Sequence, residues 1–167
     1  MSKSRDFLGP YRLARLIRAG STSEVWEAIE ENNQKRFALK VLKPNSRENK
    51  QEVALLKHEF NVAQDMSSPR IVKMFEHRVE NGIPFLVMEL FSELNMKQAL
   101  RRGPDSLAFM LNKIVEQAGE GLYYMHTKHW IHRDIKPDNY LVSREGVTKL
   151  IDFTIATPKK SGLSKLF

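Results

Sequence analysis

The sequence predicts an α+β fold: a β-sheet carrying one main helix, followed by a mainly helical part. Three patterns carry this expectation. Residues 11–43 alternate short apolar runs with turn residues. A helix-spaced stretch follows and gives way to two more strand-like runs. From Leu107 to Met125 the apolar residues recur at helical spacing.

Taken in order, Tyr11–Ile17 shows partial alternation, and Val25–Ile29 and Arg36–Leu42 read as the next strands. Gly20-Ser21-Thr22-Ser23 and Glu31-Asn32-Asn33-Gln34 supply the turns between them, and Pro44-Asn45-Ser46 closes the run. Residues 47–66 read as a helix, with Asn45 and Glu48 resembling a capping box and with Val53, Leu56, Phe60 and Ala63 on its apolar side. Ile71–Arg78 and Phe85–Glu89 read as strands joined by the hairpin signal Asn81-Gly82. Five strands are therefore expected. Met96–Arg101 reads as a short helix stopped by Gly103-Pro104. Leu107, Met110, Leu111, Ile114, Ala118, Leu122 and Met125 mark one long amphipathic helix, whose apolar face is expected to be core. Tyr140–Ser143, a Glu145-Gly146 turn and Thr148–Asp152 follow.

The chain has 167 residues, of which 41% are hydrophobic, enough for a globular core. Its formal net charge is +7, but the basic residues are scattered without a Lys/Arg run or interleaved aromatics. A nucleic-acid platform is therefore not expected. There is no cysteine, which excludes disulfides and thiolate metal sites; a cytoplasmic setting is expected. The first residues lack the apolar stretch of a signal peptide. The longest apolar run, Ile83 to Leu90, contains Pro84 and Glu89 and is too short to span a bilayer.

The chemistry concentrates in His132-Arg133-Asp134-Ile135-Lys136-Pro137-Asp138-Asn139. This turn-rich segment offers a proton acceptor, a cation able to pair with phosphate and an amide able to bind a metal ion. Phosphoryl transfer needs an oriented hydroxyl, a neutralised phosphate and a held Mg²⁺. Downstream, Asp152-Phe153-Thr154 adds a second carboxylate beside an aromatic ring. A separate signal comes from Glu59, which falls on the apolar side of its helix, near Leu55, Leu56, Val62 and Ala63. A carboxylate there needs a partner, because an unpaired buried charge is costly. Lys40, at the end of Phe37-Ala38-Leu39-Lys40, is the natural one.

Two metal readings fail. His58-Glu59 could begin a zinc-binding H-E-x-x-H, but Val62 stands where the second histidine should be. His126, His129 and His132 recur every three residues, but Trp130-Ile131 signals that the segment has left the helix.

The segment from His132 to Asn139, followed by Asp152-Phe153, resembles the H-R-D-L-x-x-x-N and D-F-G motifs of eukaryotic-type (Hanks-type) serine/threonine protein kinases, a family with bacterial members. The resemblance extends from about Tyr11 over nearly the whole chain. It implies a protein-kinase-like fold: an antiparallel five-stranded N-lobe sheet with one main helix at about 11–90, a hinge near 89–92, and an incomplete, mainly helical C-lobe over 93–167. It implies ATP and two Mg²⁺ ions as cofactors and a protein substrate that the sequence does not name.

By that resemblance Asp134 is the catalytic carboxylate, Lys136 neutralises the γ-phosphate, and Asn139 and Asp152 hold Mg²⁺. Lys40 matches the strand lysine that holds the α- and β-phosphates. Counted back from Ser68-Pro69-Arg70-Ile71-Val72, Glu59 matches its partner glutamate. Ile17, Val25, Ala38 and Leu141 would sandwich the adenine, with Met88 behind it and backbone groups of Glu89 and Phe91 on its edge. Asn95 stands where an acidic residue often meets the ribose. Gly20, Ser21 and Thr22 would cover the phosphates, and His132 would stack with Phe153, Met74 and Ala63. Lys136 favours Ser/Thr specificity. Arg133 suggests control by phosphorylation, with Thr157, Ser161 and Ser164 as candidate sites.

Three departures stand out. Only the middle glycine of G-x-G-x-x-G survives, in Arg18-Ala19-Gly20-Ser21-Thr22-Ser23, which is expected to stiffen the loop. Thr154 replaces the glycine of D-F-G and is expected to restrict the Asp152-Phe153 segment. The chain ends at Phe167 without an A-P-E motif, so it reads as an N-terminal fragment, weak or inactive alone, exposing apolar surface on the helix from Leu107. The competing readings are a nucleotide-binding pseudokinase or scaffold, and a small-molecule kinase of the same fold.

Overall fold

The structure is a computed structural model that describes residues 7–103 and 105–159. The chain divides into two compact units. The first takes Met1–Gln64 and Lys73–Phe91, the second Asp65–Val72 and Ser92–Phe167.

The first unit is a six-stranded antiparallel sheet with two helices. Its strands are β1 (Phe7–Leu8), β2 (Tyr11–Ala19), β3 (Ser23–Glu30) and β4 (Arg36–Leu42), then, after helices α1 (Pro44–Arg47) and α2 (Lys50–Ala63), β5 (Met74–Glu80) and β6 (Ile83–Glu89). They lie in the order β1-β2-β3-β4-β6-β5. The extra strand, β1, pairs Phe7 with Arg12 and Leu8 with Tyr11. Gly9, at φ +58°, makes the tight reversal before Pro10. A two-residue strand is too short to show alternation in the sequence. The β5–β6 turn places Asn81 and Gly82 at φ +50° and +76°, the paired positive angles of a type I′ hairpin.

Period-two alternation sorts this sheet into faces. Leu39 and Val41 join Leu8, Tyr11, Ala28, Phe85 and Val87 in one core cluster. Tyr11 meets Phe37 and Phe85 edge-on, at 5.7 and 6.3 Å between centroids. Ala38 and Lys40 point to the other face. Their register partners are Met88 and Leu86 on β6 and Glu27 and Val25 on β3.

The single helix expected over 47–66 is instead two. Pro44 opens α1 at its first turn, and Asn49, not Asn45, caps α2 by accepting a hydrogen bond from the Gln51 amide at 2.9 Å. The Asn45–Glu48 capping box does not form, because both residues lie within or at the end of α1.

The second unit contains β7 (Leu94–Asn95), α3 (Met96–Arg102), α4 (Asp105–Ala108), α5 (Leu111–Thr127), β8 (Trp130–Ile131), a 3-10 turn (Pro137–Asn139), β9 (Tyr140–Val142), β10 (Thr148–Leu150) and β11 (Thr157–Pro158). Strands β10, β9 and β7 form one small sheet, and β11 pairs with β8. Ala99, Leu107, Met110, Ile114 and Val142 make its apolar cluster. The long helix expected from Leu107 breaks at Phe109-Met110, where the chain turns between α4 and α5. Its apolar face is only partly core: Ile114 and Met125 are buried, whereas Leu111 is 55% exposed. Phe109, Val115 and Tyr123 are exposed as well.

Residues 65–72, grouped by sequence with the first 90 residues, pack in the second unit. The Leu150 amide donates to the Arg70 carbonyl (2.8 Å), and the Val72 amide donates to the Leu150 carbonyl (3.1 Å). The Arg70 guanidinium donates to Gln117 Oε1 at 2.8 Å and to Glu120 Oε2 at 2.6 Å. Gly121 on α5 permits the close approach: a Cβ there would stand 3.2 Å from the Arg70 carbonyl oxygen. Ile71, expected in a strand, makes only an isolated parallel bridge to Leu150.

Candidate active site

In the first unit, β4 and α2 bring Lys40 and Glu59 together. Lys40 Nζ donates to Glu59 Oε2 at 2.6 Å. The Glu59 side chain is 2% exposed and that of Lys40 14%. The helix face that buries Leu56, Val62 and Ala63 also buries Glu59, so its charge is matched where water cannot solvate it.

The surrounding candidates share the sheet. Val25 sits opposite Lys40, and Ala38 opposite Met88, so all four lie on one face. Ala38 and Met88 are buried, and Val25 is half-buried. Ile17 occupies a register shift in β2 between Leu16 and Arg18. Glu89 ends β6, its amide donating to the Lys73 carbonyl at 2.9 Å, and Phe91 follows, half-buried. The turn that carries Gly20, Ser21 and Thr22 is tied down at both ends. The Gly20 amide donates to the Ser23 carbonyl (2.8 Å), and the Lys43 amide donates to the Thr22 carbonyl (2.9 Å). Lys43 Nζ also donates to the Gly20 carbonyl.

In the second unit, the segment between β8 and β9 is built around Asp134. Lys136 Nζ donates to its Oδ2 at 2.7 Å, and Asn139 Nδ2 donates to the same oxygen at 2.9 Å. Asn139 Nδ2 also donates to the Asp134 carbonyl at 2.8 Å. The 3-10 turn positions Asn139 for this, and the Asn139 carbonyl accepts from the Ile151 amide at 3.0 Å. These bonds hold the Asp134 carboxyl below its usual pKa. The Lys136 bond is the largest influence; burial opposes it, the Asn139 bond adds to it, and the charge of Asp152 pushes back. The same pair raises Lys136, chiefly through its bond to Asp134. Asp134 is thus an ionised acceptor, as a proton-accepting carboxylate must be.

His132 organises the segment from behind. It is 1% exposed, with Nε2 3.0 Å from the Ile151 carbonyl and Nδ1 accepting from the Asp134 amide at 3.2 Å. Its ring meets the buried Phe153 edge-on at 5.5 Å. His132 is a packed core histidine, and among the described residues no group of three or more His, Cys, Asp or Glu side chains is placed to hold a metal ion. Arg133 and Asp152, which flank the site in sequence, both adopt positive φ, +69° and +65°. Non-glycine residues in that region are strained and cluster at functional sites.

One expectation changes. Asn95 does not present its side chain for a ribose: it is 6% exposed, and its Oδ1 accepts from the Gln98 amide at 2.8 Å while Gln98 Oε1 accepts from the Asn95 amide. It caps α3 in a full capping box. Thr154 itself has no positive φ; in this segment the positive φ falls on Asp152. The Thr154 hydroxyl donates to Asp152 Oδ1 at 2.6 Å, a contact the sequence reading did not foresee. The spacing Asp-x-Thr is a local turn signal that could have suggested it. Leu141, half-buried on β9, pairs with Asn95 and Lys149. Of the phosphorylation candidates, Thr157 accepts from the Arg133 guanidinium at 3.4 Å, and Ser161 and Ser164 lie outside the described residues.

The family model described as the protein kinase domain matches residues 11–165. The chain belongs to the protein kinase family. The sequence is similar to the serine/threonine-protein kinase PknA of Corynebacterium glutamicum, 32% identical over 154 residues, covering 87% of this chain and 32% of that protein. It is 33% identical over 154 residues to PknA of Mycobacterium tuberculosis, covering 89% of this chain and 36% of that kinase. The probable serine/threonine-protein kinase pknA2 of Bifidobacterium longum is 34% identical over 154 residues, covering 89% of this chain and 20% of the relative. The chain thus spans about a third or less of the length of these kinases. Members of the kinase family use ATP and Mg²⁺ and act on proteins. No helix among the described residues is long and apolar enough to cross a membrane.

Proposed function

We propose that this chain carries the nucleotide-binding and phosphate-transferring residues of a serine/threonine protein kinase. The observation that most supports this is the convergence of Lys136 and Asn139 on one oxygen of an ionised Asp134. That arrangement holds a base in a fixed orientation beside a cation, which proton abstraction next to a phosphate requires.

In this reading Asp134 accepts the proton of a Ser or Thr hydroxyl as its oxygen attacks the γ-phosphorus. The bond from that phosphorus to the β,γ-bridging oxygen breaks, and ADP leaves. Lys136 balances charge on the transferring group. Lys40, held by Glu59, pairs with the α- and β-phosphates. Ile17, Val25, Ala38, Met88 and Leu141 sandwich the adenine, backbone groups of Glu89 and Phe91 bind its edge, and the loop of Gly20, Ser21 and Thr22 covers the phosphates.

Asn139 and Asp152 would hold Mg²⁺, for which two ions are proposed. The donor set fits. Asn139 spends its Nδ2 hydrogens on Asp134, so its carboxamide oxygen is the remaining ligand atom, and Asp152 supplies carboxylate oxygen. Hard oxygen ligands, completed by phosphate oxygens and water, suit this ion. When bound, Mg²⁺ supplies neutralisation of phosphate charge.

The test is transfer of radiolabelled γ-phosphate to a general protein acceptor such as casein, with Asp134→Asn as control. Incorporation should fall by at least about 100-fold in the variant, the scale of a lost general base. Equal, measurable incorporation by both proteins would overturn the proposal.

A further inference from the structure

Thr154 stands where the kinase motif has a glycine, and its side chain is not idle. Its hydroxyl donates to Asp152 Oδ1 at 2.6 Å, and its backbone amide lies 3.4 Å from the same oxygen. A 2.6 Å O–H···O⁻ contact is in the range of strong charge-assisted hydrogen bonds. A glycine could offer only the longer amide contact. The residue between them, Phe153, is fully buried and packed on His132, so the backbone from which both groups project is anchored. Asp152 itself holds a left-handed backbone conformation, φ +65°.

We propose that Thr154 is a positioning residue whose hydroxyl fixes the orientation in which the Asp152 carboxylate meets the metal ion. This rests on the assignment of Asp152 as a Mg²⁺ ligand. A carboxylate has about four lone-pair directions, and a hydroxyl donor on one of them selects the rotamer in which the others are presented. Outer-shell hydrogen bonds of this kind typically contribute 10–100-fold to metal affinity. The substitution of glycine by threonine thus exchanges backbone freedom for a pre-oriented ligand.

The experiment measures Mn²⁺ binding by electron paramagnetic resonance in the presence of saturating adenosine 5′-(β,γ-imido)triphosphate, with melting temperature recorded for each protein. Thr154→Val keeps the β-branched shape and removes the hydroxyl. Thr154→Ser keeps the hydroxyl and removes the methyl. Asp152→Ala tests the ligand assignment itself. The expected pattern is about 10-fold or greater weakening in Thr154→Val, near-native affinity in Thr154→Ser, and an unchanged melting temperature in both. Should Thr154→Val not fold, Thr154→Ala replaces it and must show the same loss. If Asp152→Ala weakens Mn²⁺ but Thr154→Val does not, the positioning role is overturned while the kinase reading stands. Equal weakening in Thr154→Val and Thr154→Ser also overturns it, since packing rather than the hydroxyl is then responsible. If Asp152→Ala leaves Mn²⁺ affinity intact, the ligand assignment falls, and the role of Thr154 with it.

Discussion

Removing one partner of the Lys40–Glu59 pair should destabilise the first unit severely, and removing both should cost less than the two single changes added together. The Nζ–Oε2 distance is 2.6 Å and both side chains are largely buried, at 14% and 2% exposure. Glu59→Gln removes the carboxylate to which Lys40 Nζ donates at 2.6 Å in a largely buried setting. Breaking such a pair costs about 3–5 kcal/mol, most of it the cost of the stranded charge. Lys40→Met removes the cation from which the buried Glu59 carboxylate accepts. In the double variant neither charge remains, so its loss should be smaller than the sum of the singles by about 2–3 kcal/mol. Urea unfolding reads this directly. With a slope of about 2 kcal/mol/M, each single change should lower the midpoint by about 2 M. Trp26 lies in β3 of the first unit and Trp130 in β8 of the second. A Trp130→Phe background therefore lets fluorescence report the first unit alone. Strict additivity of the two changes, or a midpoint shift below about 0.3 M for Glu59→Gln, would refute the claim that the pair is buried and mutually dependent.

Three further outcomes follow from the structure. The Asp134 carboxyl is held low chiefly by Lys136, so Lys136→Ala should raise its pKa toward the usual 3.8, seen by ¹³C-carboxyl titration; no change would mean the hydrogen bond is absent in solution. Burial, and then the charge of Lys57, lower the pKa of His77, whose buried Nε2 has no hydrogen-bond partner among the described residues. The unfolded chain therefore binds the extra proton, and the stability present above the usual value of 6.5 is lost as pH falls toward the folded-state pKa. His77→Phe should flatten the dependence of melting temperature on pH between about 5 and 7, and an unchanged slope would show that His77 is not its source. Gly121→Val should destabilise the second unit by about 1–3 kcal/mol, because its Cβ would crowd the Arg70 carbonyl at 3.2 Å; a neutral result would mean that the 65–72 segment does not dock there.

The legible parts of the fold were those set by local chemistry. The Asn81-Gly82 hairpin needs only two residues that tolerate positive φ, and both adopt it. The position of Glu59 on an apolar helix face called for a buried cation, and Lys40 supplies one. The loop from His132 to Asn139 carries its chemistry within a few residues, so its hydrogen bonds close locally. Less legible were choices between equivalent local signals. Asn45 and Asn49 are both plausible caps, and the proline that opens α1 decides between them. Asn95 could face a ligand or cap α3, and Gln98 three residues on settles it as a cap. The affiliation of residues 65–72 was hidden because it depends on long-range partners, Gln117, Glu120 and Leu150. The Thr154 hydroxyl bond is not legible in the sequence, because a position that holds glycine in the D-F-G motif points to backbone conformation rather than to a side-chain donor.

The most direct test of the central claim is calorimetric titration of the protein with Mg-ATP, comparing the parent with Lys40→Met and Asp152→Ala. The account predicts measurable binding by the parent and at least about 10-fold weaker binding in each variant, since Lys40 is proposed to hold the phosphates and Asp152 the Mg²⁺. Affinity unchanged in either variant would contradict it.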